Sequence, residues 1–338
     1  MKQFLLTMAV ALTSAGVMAG NPLWLRNTAI SPDGKTIAFT YKGDIYTVPT
    51  TGGLATRLTT DPGYDSNPFW SPDGTRIAFS SSRMGGDDVY VMPAKGGTPK
   101  RITTHSASET PLGWMNDSTV AYTARIQADV NDLNAPWSRQ TYIVNANREG
   151  ARPELLFSLQ TRCGAFNAAG DYIFEDWKGF ENALRKHEMS SATGDIFLWR
   201  DGKFSCLTSF KGNDRNPVWA GEGKYAYTSE QDGTLNVYLA SVDGKMPARK
   251  LTDFKGTPVR SLSSDAAGSR LAFSYDGEIY TLVPGEKPQK VNVDIVTDDF
   301  DSDHVNRFVS SGADNLAVSP SGDELAIIIR GELYVTSV

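Results

Sequence analysis

A chain of 338 residues that is 40% hydrophobic, 10% aromatic and 21% charged carries enough apolar side chains for a sizeable core, which excludes a disordered or fibrous polypeptide. The formal net charge of -6, with its 33 Lys and Arg residues scattered rather than grouped on one face, excludes nucleic acid as a partner. Length alone leaves one or two domains open.

The first residues read as an export signal. Lys2 supplies a positive start, Phe4 to Leu12 an apolar stretch, and Val17-Met18-Ala19 the small residues after which signal peptidase cuts. Residues 1–19 are therefore expected to leave a mature chain starting near Gly20, exported, and periplasmic if the host is Gram-negative. No cysteine follows the cut, so no lipid anchor is expected. No later stretch is apolar for the roughly eighteen residues that a membrane span needs.

From there a unit repeats. Thr28 to Gly34 leads through a Ser31-Pro32-Asp33-Gly34 corner into Lys35–Thr40, Asp44–Val48 and Thr56–Thr59. The second copy runs nearly letter for letter: Trp70 to Gly74, Thr75–Phe79, Asp88–Met92 and Lys100–Thr103. Each segment has the length and β-branched or aromatic content of a short strand. Further copies start at Trp114, Phe166, Trp219 and Leu262, which makes six complete four-strand units. A period of about 40–50 residues built from four strands is the signature of a β-propeller. The fold class expected is all-β: a six-bladed propeller over 20–296, every blade built from contiguous chain and the ring closed by packing alone. An acidic linker over 297–314 follows. Residues 315–338 supply three strands of a seventh unit, read as the truncated first blade of a second propeller. A seven-bladed ring would need an outer strand from the N-terminus, and Gly20 to Leu23 are too few for it.

Turn chemistry accounts for Asp33 and Asp73: Pro presets the second position of the corner and Gly accepts the left-handed conformation after it. They are expected to be structural. The aromatics Tyr46, Tyr90, Tyr142, Phe197, Tyr238 and Tyr280 recur at one place in the third strand and are expected in the core.

The repeat is similar to those shared by TolB-like proteins, tricorn-type proteases and dipeptidyl-peptidase-like enzymes, and does not choose among them. Two stretches do: Trp177 to His187 running on to Gly194–Trp199, and Asp214–Trp219 leading to Ser229–Gly233. Both resemble the first propeller of bacterial tricorn protease homologues, as does the acidic run Asp298 to Asp303 before a fresh Ser-Pro-Ser-Gly corner. The resemblance implies a non-catalytic propeller of a larger serine peptidase, followed there by a seven-bladed propeller, a PDZ domain and the peptidase domain. It further implies a role in substrate or product gating, or in assembly around the peptidase chamber. Its partners would be a peptide or protein substrate, the remaining domains of the parent, and further copies in a homo-oligomer. The alternatives are a stand-alone TolB-like protein-binding propeller of the cell envelope and an accessory propeller of a dipeptidyl-peptidase-like hydrolase.

The chain carries no recognisable active site. There is no Gly-x-Ser-x-Gly elbow, and His105, His187 and His304 lie far apart in the repeat, with neither a triad nor zinc spacing. Asp299, Asp301 and Asp303 alternate like calcium ligands but lack the glycine and distal glutamate of the full loop. No catalytic residue, metal or cofactor is expected. Cys163 falls on the innermost strand of the fourth unit and Cys206 on its outermost, about 14 Å apart at the usual strand spacing, too far for a disulfide. Two buried thiols are expected.

The departures from the repeat are two insertions between second and third strands, Ile126 to Arg139 and Trp177 to Thr193. In an up-and-down blade such loops share a face with the inter-blade connections, so they build one wall. Glu181 to Met189 reads as a short helix with Leu184 toward the ring, and Asn134 to Trp137 as an irregular loop. Trp137, Trp177, Phe180, Arg185 and Lys186 are the expected binding residues, being aromatic and cationic anchors on that wall.

Overall fold

The computed structural model describes residues 22–126, 139–178, 189–296, 311–329 and 331–338. Among them are six four-stranded antiparallel sheets, each contiguous in sequence and meandering in order, so all six expected units form. Their first strands are Arg26–Ile30, Asp65–Trp70, Glu109–Asn116, Thr161–Phe166, Asp214–Trp219 and Arg260–Ser264. Each first strand neighbours the next, and the sixth returns to the first. They are thus the innermost strands of a closed propeller.

The repeat residues explain the blades. At the Ser-Pro-Asp-Gly corners of the first two blades the serine hydroxyl donates to the aspartate, Ser31 Oγ to Asp33 Oδ1 at 2.6 Å and Ser71 Oγ to Asp73 Oδ1 at 2.5 Å, and Gly34 sits at φ 71°. The Ser31 hydroxyl first, and then the Lys35 backbone N–H, hold Asp33 below the usual carboxylate range. The aspartates are turn anchors. The third-strand aromatics each face an aromatic on the second strand of their own sheet: Phe39–Tyr46, Phe79–Tyr90, Tyr122–Tyr142, Phe174–Phe197, Tyr227–Tyr238 and Phe273–Tyr280, with centroids 5.7–6.0 Å apart. These cross-strand pairs then pack between sheets: Phe39 and Tyr46 share a core with Ala272 and Ile279 of the sixth blade. The threonine that ends four of the repeats caps the start of its third strand, for the N–H groups of Ile45, Val89, Ile196 and Val237 donate to Thr59, Thr103, Thr208 and Thr252.

Blades are also tied by indoles. Trp70 Nε1 donates to Ala29 O at 2.9 Å, Trp114 Nε1 to Phe69 O at 3.0 Å and Trp219 Nε1 to Ala165 O at 2.9 Å. The tryptophan before the corner is therefore both core and rivet to the preceding blade.

Closure differs from expectation. Among the described residues no N-terminal strand is exchanged, yet packing does not act alone: Val293–Asp294 runs parallel to Gly53–Leu54, with Gly53 N donating to Asn292 O at 2.9 Å and Ala55 N to Asp294 O at 2.8 Å. Thr28 Oγ1 adds a 2.6 Å bond to Ser261 O across the same seam. The physical reason is that backbone groups brought together there need partners once water is excluded. Gly52, at φ 85°, permits the approach, since a Cβ there would lie 2.6 Å from Asn292 O.

The last described strands, Ala313–Val318, Glu324–Ile329 and Glu332–Ser337, form a separate three-stranded antiparallel sheet. It leaves Leu316, Val318, Tyr334 and Val335 exposed. Both cysteines are free. Cys163 is half-buried, but Cys206 is exposed, which corrects the expectation of a buried thiol: the outermost strand Lys203–Cys206 has no neighbouring strand beyond it.

Candidate functional site at the start of the innermost strands

Every innermost strand carries a bulge near its start. In four of them the bulged residue is left-handed: Asn27, Asn67, Asn216 and Ser261, with φ of 50–53°. Asparagine tolerates that conformation because its side chain bonds locally to backbone. Here those side chains reach across blades. Asn27 Nδ2 donates to Asn67 Oδ1 at 2.8 Å, while Asn216 accepts from Leu262 N at 2.7 Å and donates to Leu262 O at 3.0 Å. The bulges form a polar collar around the axis.

With the six units aligned on their second strands, one column of the innermost strands reads Arg26, Ser66, Thr110, Arg162, Arg215 and Arg260. Four of six are arginines. The second-strand residue paired with it is Thr40, Ser80, Thr123, Thr228 or Ser274 in five blades; in the fourth, Thr161 pairs with Asp176 and Glu175 is the preceding residue of that second strand.

Glu175 is buried and organises the neighbourhood. Arg162 Nη1 lies 3.6 Å and Arg215 Nε 3.9 Å from its Oε1, while the Cys163 thiol donates to Oε2 at 3.1 Å and Asn216 N at 3.2 Å. Desolvation pushes the Glu175 carboxyl up against the pull of Arg215 and Arg162. Burial, and then the negative charge of Glu175, push the Cys163 thiol well above its ordinary range, so it is no ready nucleophile. Arg260 is solvent-accessible yet surrounded by protein; desolvation, then Arg215 and Arg26, draw its guanidinium below its usual value. Arg139 donates to Thr110 Oγ1 at 3.0 Å and is likewise lowered by desolvation and by Arg125. This end of the axis gathers positive charge in a chain of net charge -6.

Of the expected binding residues, Trp177 is the one the structure places. It is half-buried beside Arg162, whose guanidinium carbon stands 4.9 Å from the ring centroid. Trp137, Phe180, Arg185 and Lys186 lie outside the described residues, as do all but the last residue of the helix read over Glu181 to Met189 and the Asp299, Asp301 and Asp303 carboxylates. Both insertions do leave from the expected place, between second and third strands of the third and fourth blades, the second strands ending at Ala124 and Asp176. The arginine position was missed in the sequence. Its signal was there once the six units are aligned: Arg26, Arg162, Arg215 and Arg260 fall in one column, and Glu175 interrupts a column of Thr and Ser.

The fold is a propeller of the kind found in tricorn protease and in TolB. Residues 22–288 match the family described as the tricorn protease N-terminal beta propeller domain, and the chain belongs to that family. It is 29% identical over 276 residues to Tricorn protease homolog 1 of Streptomyces coelicolor, covering 78% of this chain and 24% of that protein. It is 26% identical over 316 residues to the Tricorn protease homolog of Saccharolobus solfataricus, covering 89% and 27%. The chain thus spans about a quarter of the length of these relatives. Among solved structures, the tricorn protease crystal structure superposes with TM-score 0.66 at 22% identity, over 94% of this chain and 30% of that one. TolB from Acinetobacter baumannii superposes at 0.55 and 14% identity, over 80% and 66%. At those identities the likeness is one of fold.

Proposed function

We propose that this chain is the non-catalytic first propeller of an exported tricorn-like serine peptidase, acting in substrate or product gating or in assembly around the peptidase chamber. Family membership over residues 22–288 is the observation that carries this reading. In it, residues 1–19 are the export signal, 20–296 the propeller, 297–314 a linker, and 315–338 the first strands of a second propeller. The exposed apolar side chains of that last sheet suit a blade that packs against a further one. The insertions bearing Trp137, Trp177, Phe180, Arg185 and Lys186 form the contact wall on the face where the innermost strands begin.

Intact-mass analysis of the polypeptide isolated from its own host tests this. A mass roughly three to four times the 36.8 kDa of this chain, with peptide hydrolysis blocked by a serine-directed reagent, is the expected result. A mass matching this chain less its signal would overturn the reading in favour of a free-standing TolB-like binding propeller.

A further inference from the structure

We propose that the seam between the second and third blades is a proton latch: Glu109, buried against Asp88, keeps the seam closed while it carries a proton and releases the start of its strand to solvent when it loses it. Two bonds to its backbone seat Glu109 in the second blade, its N–H donating to Asp87 O at 2.7 Å and its carbonyl accepting from Ser80 Oγ at 3.4 Å. Asp88 and Glu109 are both buried, and Asp88 Oδ2 and both Glu109 carboxyl oxygens have no hydrogen-bond partner among the described residues. A carboxylate so placed has given up water for nothing in exchange, so the neutral acid is the form that suits the closed seam.

The neighbouring seam shows what is missing. Between the first and second blades the equivalent acids are Asp44 and Asp65, brought together likewise by Asp65 N donating to Gly43 O at 2.8 Å. There each acid has its own cation: Arg57 Nη2 lies 2.6 Å from Asp44 Oδ2, and Arg83 Nη2 reaches both oxygens of Asp65, at 3.1 and 2.9 Å. Arg83 stands two residues past Ser81, the register partner of Asp65. Two residues past Ala124, the register partner of Glu109, stands Ile126, packed against the apolar core of that seam. Arg101 pairs with Asp88 at 2.9 Å, and Glu109 is left without a counterpart of Arg83. The other titratable or charged groups about it are His105 in the connection and Tyr122 and Arg139 of its own blade. When the proton leaves to solvent, two negative charges share one arginine, and hydrating the second requires the strand start to part from Asp87. Thr110, the next residue, accepts from Arg139 Nη1 at 3.0 Å, so the release reaches the residue before the third strand.

The latch belongs to the ring alone, so its failure is separate from failure of the protease reading. The test is amide hydrogen exchange of the full chain from about pH 6 to 8, each rate divided by that of the unfolded peptide at the same pH. Desolvation, with the charge of Asp88 adding to it, lifts the Glu109 carboxyl to about 7, so the closed seam binds a proton that the opened one gives up, and closure weakens as pH rises through that value. Protection of the Glu109 and Val89 amides should fall about tenfold over the range. The Asp65 and Ile45 amides should change about twofold or less, because burial, against the pull of Arg57, lifts Asp44 only to about 6. Glu109→Gln, neutral throughout, and Ile126→Arg, which supplies the second cation, should each abolish the fall, while His105→Asn should keep it. No fall, a fall of equal size at every blade, or a fall that persists in either of the first two variants overturns the latch. Should Glu109→Gln not fold, Ile126→Arg and the contrast between the two wild-type seams carry the test.

Discussion

Glu109→Gln is expected to stabilise the propeller at alkaline pH and to flatten its pH profile. Glu109 opens the innermost strand of the third blade, is fully buried, and has no hydrogen-bond partner for either carboxyl oxygen among the described residues. Thr103 and the carboxyl of Asp88 face it; Asp88 is itself paired with Arg101 at 2.9 Å, leaving its Oδ2 without a partner. Desolvation first, with the negative charge of Asp88 adding to it, raises the Glu109 carboxyl from 4.5 to about 7. The folded protein therefore holds this proton more tightly than the unfolded chain does. The stability it confers is fully present below about pH 4.5 and lost as pH rises through about 7. A difference of about 2.5 pH units at about 1.36 kcal/mol each bounds the loss at about 3 kcal/mol by pH 8. Glutamine stays neutral, and its amide can donate to Asp88 Oδ2. Urea unfolding of both proteins from pH 5 to 9 measures the effect. The wild-type curve should fall away from the variant between about pH 5 and 8, and the gap should approach about 2–3 kcal/mol. Parallel curves, or a variant less stable than wild type at pH 8, would refute the reasoning.

Three further substitutions probe the ring. Gly268→Ala should cost about 3 kcal/mol or more, because Gly268 sits at φ 66° and a Cβ would fall 1.9 Å from Gly221 N; a denaturation midpoint equal to wild type would contradict this. Asn216→Ala removes both bonds to Leu262 and leaves alanine at φ 50°. A loss of about 2–3 kcal/mol is expected, with faster amide exchange at Leu262 as the local readout. Trp114→Phe strips the indole bond to Phe69 O and should cost about 1–2 kcal/mol; hydrogen exchange should rise at the seam between second and third blades, and uniform exchange would count against the rivet.

The sequence by itself determined the blades. Ser-Pro-Asp-Gly corners, alternating strands and one aromatic per third strand are local features whose chemistry acts within a few residues, so a period of four strands could be counted directly from Thr28 to Asn292. The two insertions were legible for the same reason, as interruptions of that count. Neither the seam nor the site could be read so. The parallel pairing of Val293–Asp294 with Gly53–Leu54 joins segments some 240 residues apart, and only closure of the ring decides which backbone groups meet there. Likewise Arg26, Arg162, Arg215 and Arg260 form a column once the units are aligned, but only closure of the ring brings the starts of the innermost strands together around one axis. Charge then accumulates because the fold is cyclic, a property that belongs to the assembled ring and to none of its blades alone.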